Sequence, residues 1–191
     1  MNVILASQSP RRRELLGLLR IPFTVRVADI DEAMDPHGDP ASEVARVSAL
    51  KANAIPRSAD ELVIAADTIV VCDGQILGKP RDEADAFRML QLLSGRAHQV
   101  MTGMTVLYRD KAVTHTEITQ IHFRPLSEKE IRGYIRTGDP MDKAGSYGIQ
   151  SGAALFADRL EGDYFNVVGL PVCRLGMILR QLVPEILEES Q

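Results

Sequence analysis

Three arginines follow a serine–proline pair near the amino terminus, in the run Ser7-Gln8-Ser9-Pro10-Arg11-Arg12-Arg13. Ser9 as N-cap and Pro10 at the first helical position open a helix at this point. The guanidiniums then stand in its first turn, where the helix dipole is positive and disfavours each cation by about 0.3–1 kcal/mol. A cluster placed against that field suits an anion, because free backbone N–H groups and forked guanidiniums together bind phosphate. A solvated basic turn, its arginines paired with acids elsewhere, is the alternative these residues leave open. The second informative group is Asp67-Thr68, set inside the apolar run Leu62–Val71. A carboxylate there costs several kcal/mol of desolvation unless it is paired, metal-bound or facing a cleft. Either backbone donors at a bulge satisfy it, or it serves as a general base or a Mg²⁺ ligand.

Other residues extend or limit this phosphate chemistry. Lys51 and Lys79 are candidate point charges for a phosphate, though a lone lysine is often only solvated. Gly74-Gln75-Ile76-Leu77-Gly78-Lys79-Pro80 is not a P-loop: the spacer is one residue short, and Pro80 replaces the Ser or Thr that would meet Mg²⁺. The four histidines have no zinc-ligand spacing, and Gly145-Ser146-Tyr147-Gly148 is the wrong order for a serine-hydrolase elbow. There is no dinucleotide fingerprint. Asp139 to Gln150 is expected to be a long polar loop containing glycine, and loops of this length in compact domains usually carry function or mobility. Gln150 offers a donor and an acceptor to a base edge.

The elements that must position these residues alternate in type. Strands are expected at Val3–Ala6, Phe23–Val27, Leu62–Val71, Val100–Tyr108 and Ala112–Phe123. Asp73-Gly74 forms a hairpin turn. The first helix carries Leu15, Leu16, Leu18 and Leu19. The second spans Ser42 to Ala54 with Val44, Val47 and Leu50 on one stripe. A third runs from Glu83 to Leu93 with Gly95 at its end. A fourth opens on a Ser127–Glu130 capping box and stops at Gly138, and a last one opens at Pro171. Interleaved strands and helices predict a mixed-sheet α/β fold, with residues 1–191 as one domain.

The composition sets limits on partners. With 45% hydrophobic and 25% charged residues in 191, disorder and disulfide-scaffold classes are excluded. The net charge of −4 argues against nucleic acid and anionic membranes as partners of the whole surface. Cys72 and Cys173 are far apart and sit in apolar company, which reads as reduced core thiols in a reducing compartment. The short apolar start lacks a signal segment, and no run reaches membrane-spanning length, so a cytoplasmic location is expected.

Taken in order, several segments resemble the Maf family of nucleoside triphosphate pyrophosphatases. They are Leu5-Ala6-Ser7-Gln8-Ser9-Pro10-Arg11-Arg12, Ala66-Asp67-Thr68, Gly78-Lys79-Pro80, Leu93-Ser94-Gly95, His98-Gln99-Val100, Asp142-Lys143-Ala144-Gly145 and Gly169-Leu170-Pro171. The resemblance runs from Val3 to about Leu179. It implies a two-lobed α/β fold with a long curved mixed sheet flanked by helices, a cleft between lobes, and a homodimer. It also implies hydrolysis of a nucleoside triphosphate to monophosphate and pyrophosphate with a divalent cation, Mg²⁺ or Mn²⁺. On this resemblance Asp67 is the proton acceptor and, with Glu32, a metal ligand. Glu32, Lys51 and Lys79 hold metal or phosphate, and Ser7, Arg11 and Arg12 grip the triphosphate.

Thr68 and the ending Tyr147-Gly148-Ile149-Gln150 resemble the branch acting on dTTP and UTP, with Arg11, Thr68 and Gln150 as its specificity positions. A sister branch acting on 7-methyl-GTP carries Gln after the aspartate. A nucleotide-binding regulator of cell division and septum formation is the alternative from another class. One departure stands out. Ser151 occupies a position where the family pattern leads one to expect glycine, and its β-carbon is expected to restrict the backbone there.

Overall fold

The computed structural model describes residues 1–187. Seven strands form one sheet: β1 (Asn2–Leu5), β2 (Phe23–Val25), β3 (Glu61–Cys72), β4 (Gln75–Leu77), β5 (Ala97–Tyr108), β6 (Lys111–Phe123) and β7 (Ala157–Glu161). Their order is β2-β1-β3-β5-β6-β7, with β4 paired to β3 off this path. β1 runs parallel to both β2 and β3, whereas β4 and β7 pair antiparallel with β3 and β6. Among the described residues the six α-helices are α1 (Pro10–Gly17), α2 (Pro40–Asn53), α3 (Glu83–Leu93), α4 (Glu128–Ile135), α5 (Tyr164–Val168) and α6 (Val172–Leu182). The chain thus adopts the expected mixed-sheet α/β fold, with helices flanking the sheet.

Two compact units divide it. The first comprises residues 1–67, 102–117 and 169 onward; the second comprises 68–101 and 118–168. In the first, a cluster built on Ile4, Ala6, Ala52, Ile55, Val63, Ala65 and Leu107 joins β1, β3, β5 and the end of α2. In the second, Val70, Leu90, Leu93, Ile121, Phe123, Ile131, Tyr134, Tyr147 and Phe156 form a larger, aromatic core. Removing such side chains from water stabilises each by about 1.5–3 kcal/mol.

Local sequence chemistry accounts for most element ends. Ser9 caps α1, Asp39 caps α2 with Pro40 at its first position, and Asp82 caps α3. Both arms of the Ser127–Glu130 capping box are made. Asp73 and Gly74 both have positive φ, as a tight hairpin turn requires.

Four expectations need correction. α1 ends at Gly17, so Leu18 and Leu19 lie in the turn after it, and Leu18 is exposed. Leu50 is exposed too: the sheet-facing stripe of α2 takes Val44, Val47, Ser48 and Ala52 instead. Hydropathy favoured the leucine, but helix rotation and a hydroxyl partner favoured the serine. Cys72 is buried as expected, whereas Cys173 is exposed in the first turn of α6. Finally, Asp139 to Gln150 is not irregular throughout. It contains two 3₁₀ turns, Asp139–Asp142 and Ala144–Ser146, and a third follows at Gly152–Leu155.

Candidate active site

β1 ends at Leu5, paired with Ile64 of β3, and the Ala6 N–H makes one further bond to the Ile64 carbonyl. β3 continues past that point, so Asp67 emerges beyond the carboxyl end of its parallel neighbour, beside the Ser7–Ser9 turn that enters α1. The carboxyl ends of parallel strands are where α/β folds place ligands.

Asp67 meets a lysine there. Its Oδ1 accepts from Lys51 Nζ at 2.6 Å, and both side chains are only 14% exposed. Lys51 lies on α2, seven residues after Val44 and three after Ser48, so the packed face of the helix delivers it to β3. That face is seated hard against β5. A β-carbon on Gly103 would lie 2.3 Å from the Val44 carbonyl oxygen, so only glycine allows this approach. Next to it Ser48 Oγ bonds Thr105 Oγ1 at 2.8 Å, and Thr105 Oγ1 bonds Thr114 Oγ1 at 2.9 Å. The helix is thereby set in height as well as in depth.

Lys51 Nζ also meets Glu32 Oε2 at 2.8 Å. Glu32 is exposed and belongs to no regular element, but its segment is strapped to α2. Arg46 Nη2 donates to the Ala33 carbonyl at 2.7 Å, and the Asp35 N–H donates to Glu43 Oε2 at 2.8 Å. Arg46 and that N–H hold the Glu43 carboxyl down at about 2.

The arginine cluster shares this field. Arg12 is half-buried; its Nε donates to the Gly169 carbonyl at 2.8 Å and its Nη1 to Ser7 Oγ at 3.3 Å. Burial pulls the Arg12 guanidinium below its ordinary value. Asp67 and Glu32 oppose that shift, while the like charge of Arg11 adds to it. Ser7 is buried and also accepts from the Ser9 N–H at 3.2 Å. Ser7, Arg11, Arg12, Glu32, Lys51 and Asp67 therefore all belong to one unit, although they come from four separate stretches of chain. Three cations and two carboxylates offer a polyphosphate both charge and orientation.

Lys79 and Gln150 belong to the second unit, and Thr68, half-buried on β3, begins it. Lys79 is exposed in the turn between β4 and α3, and Gln150 is exposed near the end of the 139–151 segment. The two places are joined: the Gly145 N–H donates to the Gly78 carbonyl at 3.0 Å. Gly145 has φ of +68°, and a β-carbon on it would meet Val70 at 2.7 Å, which excludes any other residue. Ser151 has φ −122° and ψ −151°, a conformation open to any L residue, so the expected backbone restriction is absent. Its hydroxyl is used instead, donating to Asp139.

Several participants gave no signal of chemistry in sequence. Asp139, Tyr134, Ser48 and Gly103 are ordinary residue types whose importance rests on contact. The carbonyl of Gly169 is the exception, because Gly169-Leu170-Pro171 is one of the family segments and here receives Arg12. Among the described residues, no group of three or more His, Cys, Asp or Glu gathers as a metal cage. No helix among them is long and apolar enough to cross a membrane.

The fold and this cluster define a class, an α/β protein that gathers arginine, lysine and carboxylate side chains at the carboxyl ends of parallel strands. The family follows from comparison. The family model described as Maf-like protein matches residues 2–182, and the chain belongs to that family. It is 49% identical over 179 residues to a dTTP/UTP pyrophosphatase of Bacillus cytotoxicus, covering 93% of this chain and 94% of that one. It is 46% identical over 181 residues to a dTTP/UTP pyrophosphatase of Bacillus cereus, covering 94% and 95%. In fold it is similar to the Ham1 protein of Staphylococcus aureus (TM-score 0.52, 14% identity, covering 95% of this chain and 100% of that one). A HAM1 protein from Coxiella burnetii is comparably similar (TM-score 0.51, 14% identity, covering 95% and 99%).

Proposed function

We propose that this protein is a nucleoside triphosphate pyrophosphatase acting on dTTP and UTP, releasing the monophosphate and pyrophosphate. The observation that carries the chemistry is the shared cation: Asp67 and Glu32 converge on Lys51, in the same field as Arg11 and Arg12. The substrate class rests on relatives at 46–49% identity that bear that activity in their names.

In this reading a water oxygen attacks the α-phosphorus, the bond from that phosphorus to the α–β bridging oxygen breaks, and pyrophosphate departs. Asp67 takes the proton of the attacking water. Arg11, Arg12, Lys51 and Lys79 answer the negative charge on the phosphates, and Ser7 holds Arg12 in place. Two hard carboxylate oxygens on one cation also suit Mg²⁺ or Mn²⁺, which take one or two carboxylates and complete their shell with water and phosphate. Glu32 and Asp67 would hold such an ion, which supplies further neutralisation of phosphate charge when bound. Thr68 and Gln150 face the choice of base.

Pyrophosphate release from a panel of canonical and modified triphosphates with Mg²⁺ tests this. Asp67→Asn is expected to lower turnover about 10²–10⁴-fold, the range of a lost general base, with nucleotide binding retained. Near wild-type turnover in that variant would remove Asp67 from the role, and a preference for 7-methyl-GTP would overturn the substrate.

A further inference from the structure

The 139–151 segment is closed on itself by side chains. Asp139 Oδ2 accepts from both Tyr134 Oη and Ser151 Oγ, and its Oδ1 accepts from Lys143 Nζ at 3.0 Å. Tyr134 Oη in turn accepts from the Gly148 N–H at 3.0 Å, and the Ser151 N–H donates to the Gly148 carbonyl at 3.1 Å. Gln150 thus sits between two residues that are tied to one carboxylate, directly and through Tyr134, while its own side chain remains exposed. Farther back, Tyr147 is buried and bonded to His98 at 2.9 Å.

We propose that Ser151 is a positioning residue for base selection: by donating to Asp139 it closes this loop and fixes the backbone from which Gln150 presents its amide. The proposal rests on the reading of Gln150 as a base-facing residue. Its physical basis is the symmetry of an amide. A carboxamide carries an acceptor and two donors, and can offer either to a base edge by turning over. Uracil and thymine present an acceptor at O4, whereas cytosine presents a donor at N4. An amide offered from a fixed backbone approaches a base edge in one way and distinguishes the two, whereas one carried on a shifting backbone adapts to both. Holding it before substrate arrives also lowers the ordering cost of binding, which acts on KM and on discrimination more than on kcat.

The test measures kcat and KM for UTP and CTP in Ser151→Ala, Ser151→Thr, Gln150→Ala and the double variant, with Tm recorded for each. Expected for Ser151→Ala is a fall of about tenfold in the UTP-over-CTP ratio of kcat/KM, the scale of one hydrogen bond. The kcat for UTP should move little, since Ser151 touches no reacting group. Ser151→Thr keeps the hydroxyl and should restore the ratio. The double variant should discriminate no worse than Gln150→Ala alone. Equal losses of kcat for both nucleotides in Ser151→Ala would mark a merely structural residue and overturn the proposal. If Gln150→Ala loses discrimination while Ser151→Ala does not, the loop closure is wrong and the base-facing reading survives. If Gln150→Ala keeps discrimination, that reading fails and the proposal with it.

Discussion

The Asp67–Lys51–Glu32 group and the 139–151 segment are built from different materials. In the first, Asp67 and Lys51 stand on regular elements, a strand and a long helix, Glu32 stands on an irregular segment strapped to that helix, and full charges hold the three together. The second stands on short 3₁₀ turns and is held around one carboxylate by hydroxyls and backbone groups, with a single cation, Lys143, beside them. Full charges act on any polyphosphate from a distance, whereas a ring of hydrogen bonds fixes the local shape of the chain. On the proposed function, the charged group would answer the triphosphate common to all substrates and the hydrogen-bonded segment the base that differs between them.

The comparison breaks most readily at the charged end. Lys51→Met is expected to lower kcat/KM for dTTP and UTP alike by about 10²–10³, the cost of one lost charge-stabilising group. Steady-state kinetics with UTP and CTP checks it. A change in base preference with intact rate would mean that Lys51 serves selection instead.

Acid should weaken the second unit specifically. Burial depresses His98 to about 4 from an ordinary 6.5, so the folded protein keeps this ring neutral. Between those values the unfolded chain binds the proton and the folded one does not. Stability is therefore complete above pH 6.5 and is lost as pH falls toward 4, by roughly 3 kcal/mol in all. Denaturant titrations across this range should show a shallower pH slope for His98→Gln than for the parent. Equal slopes would mean that His98 protonates freely in the fold.

Smaller effects probe the seat of α2. Gly103→Ala pushes a methyl into the Val44 carbonyl and should cost about 1–3 kcal/mol, a fall in Tm of a few degrees. An unchanged Tm in a thermal melt would contradict the close approach. Ser48→Ala should cost about 1 kcal/mol, because Thr105 keeps its bond to Thr114. If both substitutions lower kcat more than the stability loss accounts for, helix height controls Lys51. If only Tm moves, the seat is structural alone.

Much of the scaffold was legible because its signals are local. α3 runs from Glu83 to Leu93 as its pattern predicts, the Asp73-Gly74 turn forms, and the Ser127–Glu130 box closes, each decided by neighbours within four residues. The residues that failed were judged by hydropathy without direction. Leu50 points outward and Ser48 inward, because the rotation of α2 is decided by where Gly103 lets it approach. The candidate site divides in the same way: Asp67 and the arginines were conspicuous as charges out of place, whereas Asp139 and Tyr134 look like ordinary surface and core residues.

By itself, then, the chain of residue types determined which charges had to find partners and where helices and turns begin, since desolvation and capping act over a few ångströms of local chain. Only the tertiary structure decided that Asp67 and Glu32 share one lysine, that Arg12 rests on a carbonyl 157 residues away, and that Ser151 closes a loop instead of straining one. Those are contacts between segments distant in sequence. They depend on strand register and helix seating, which no single stretch of the sequence encodes.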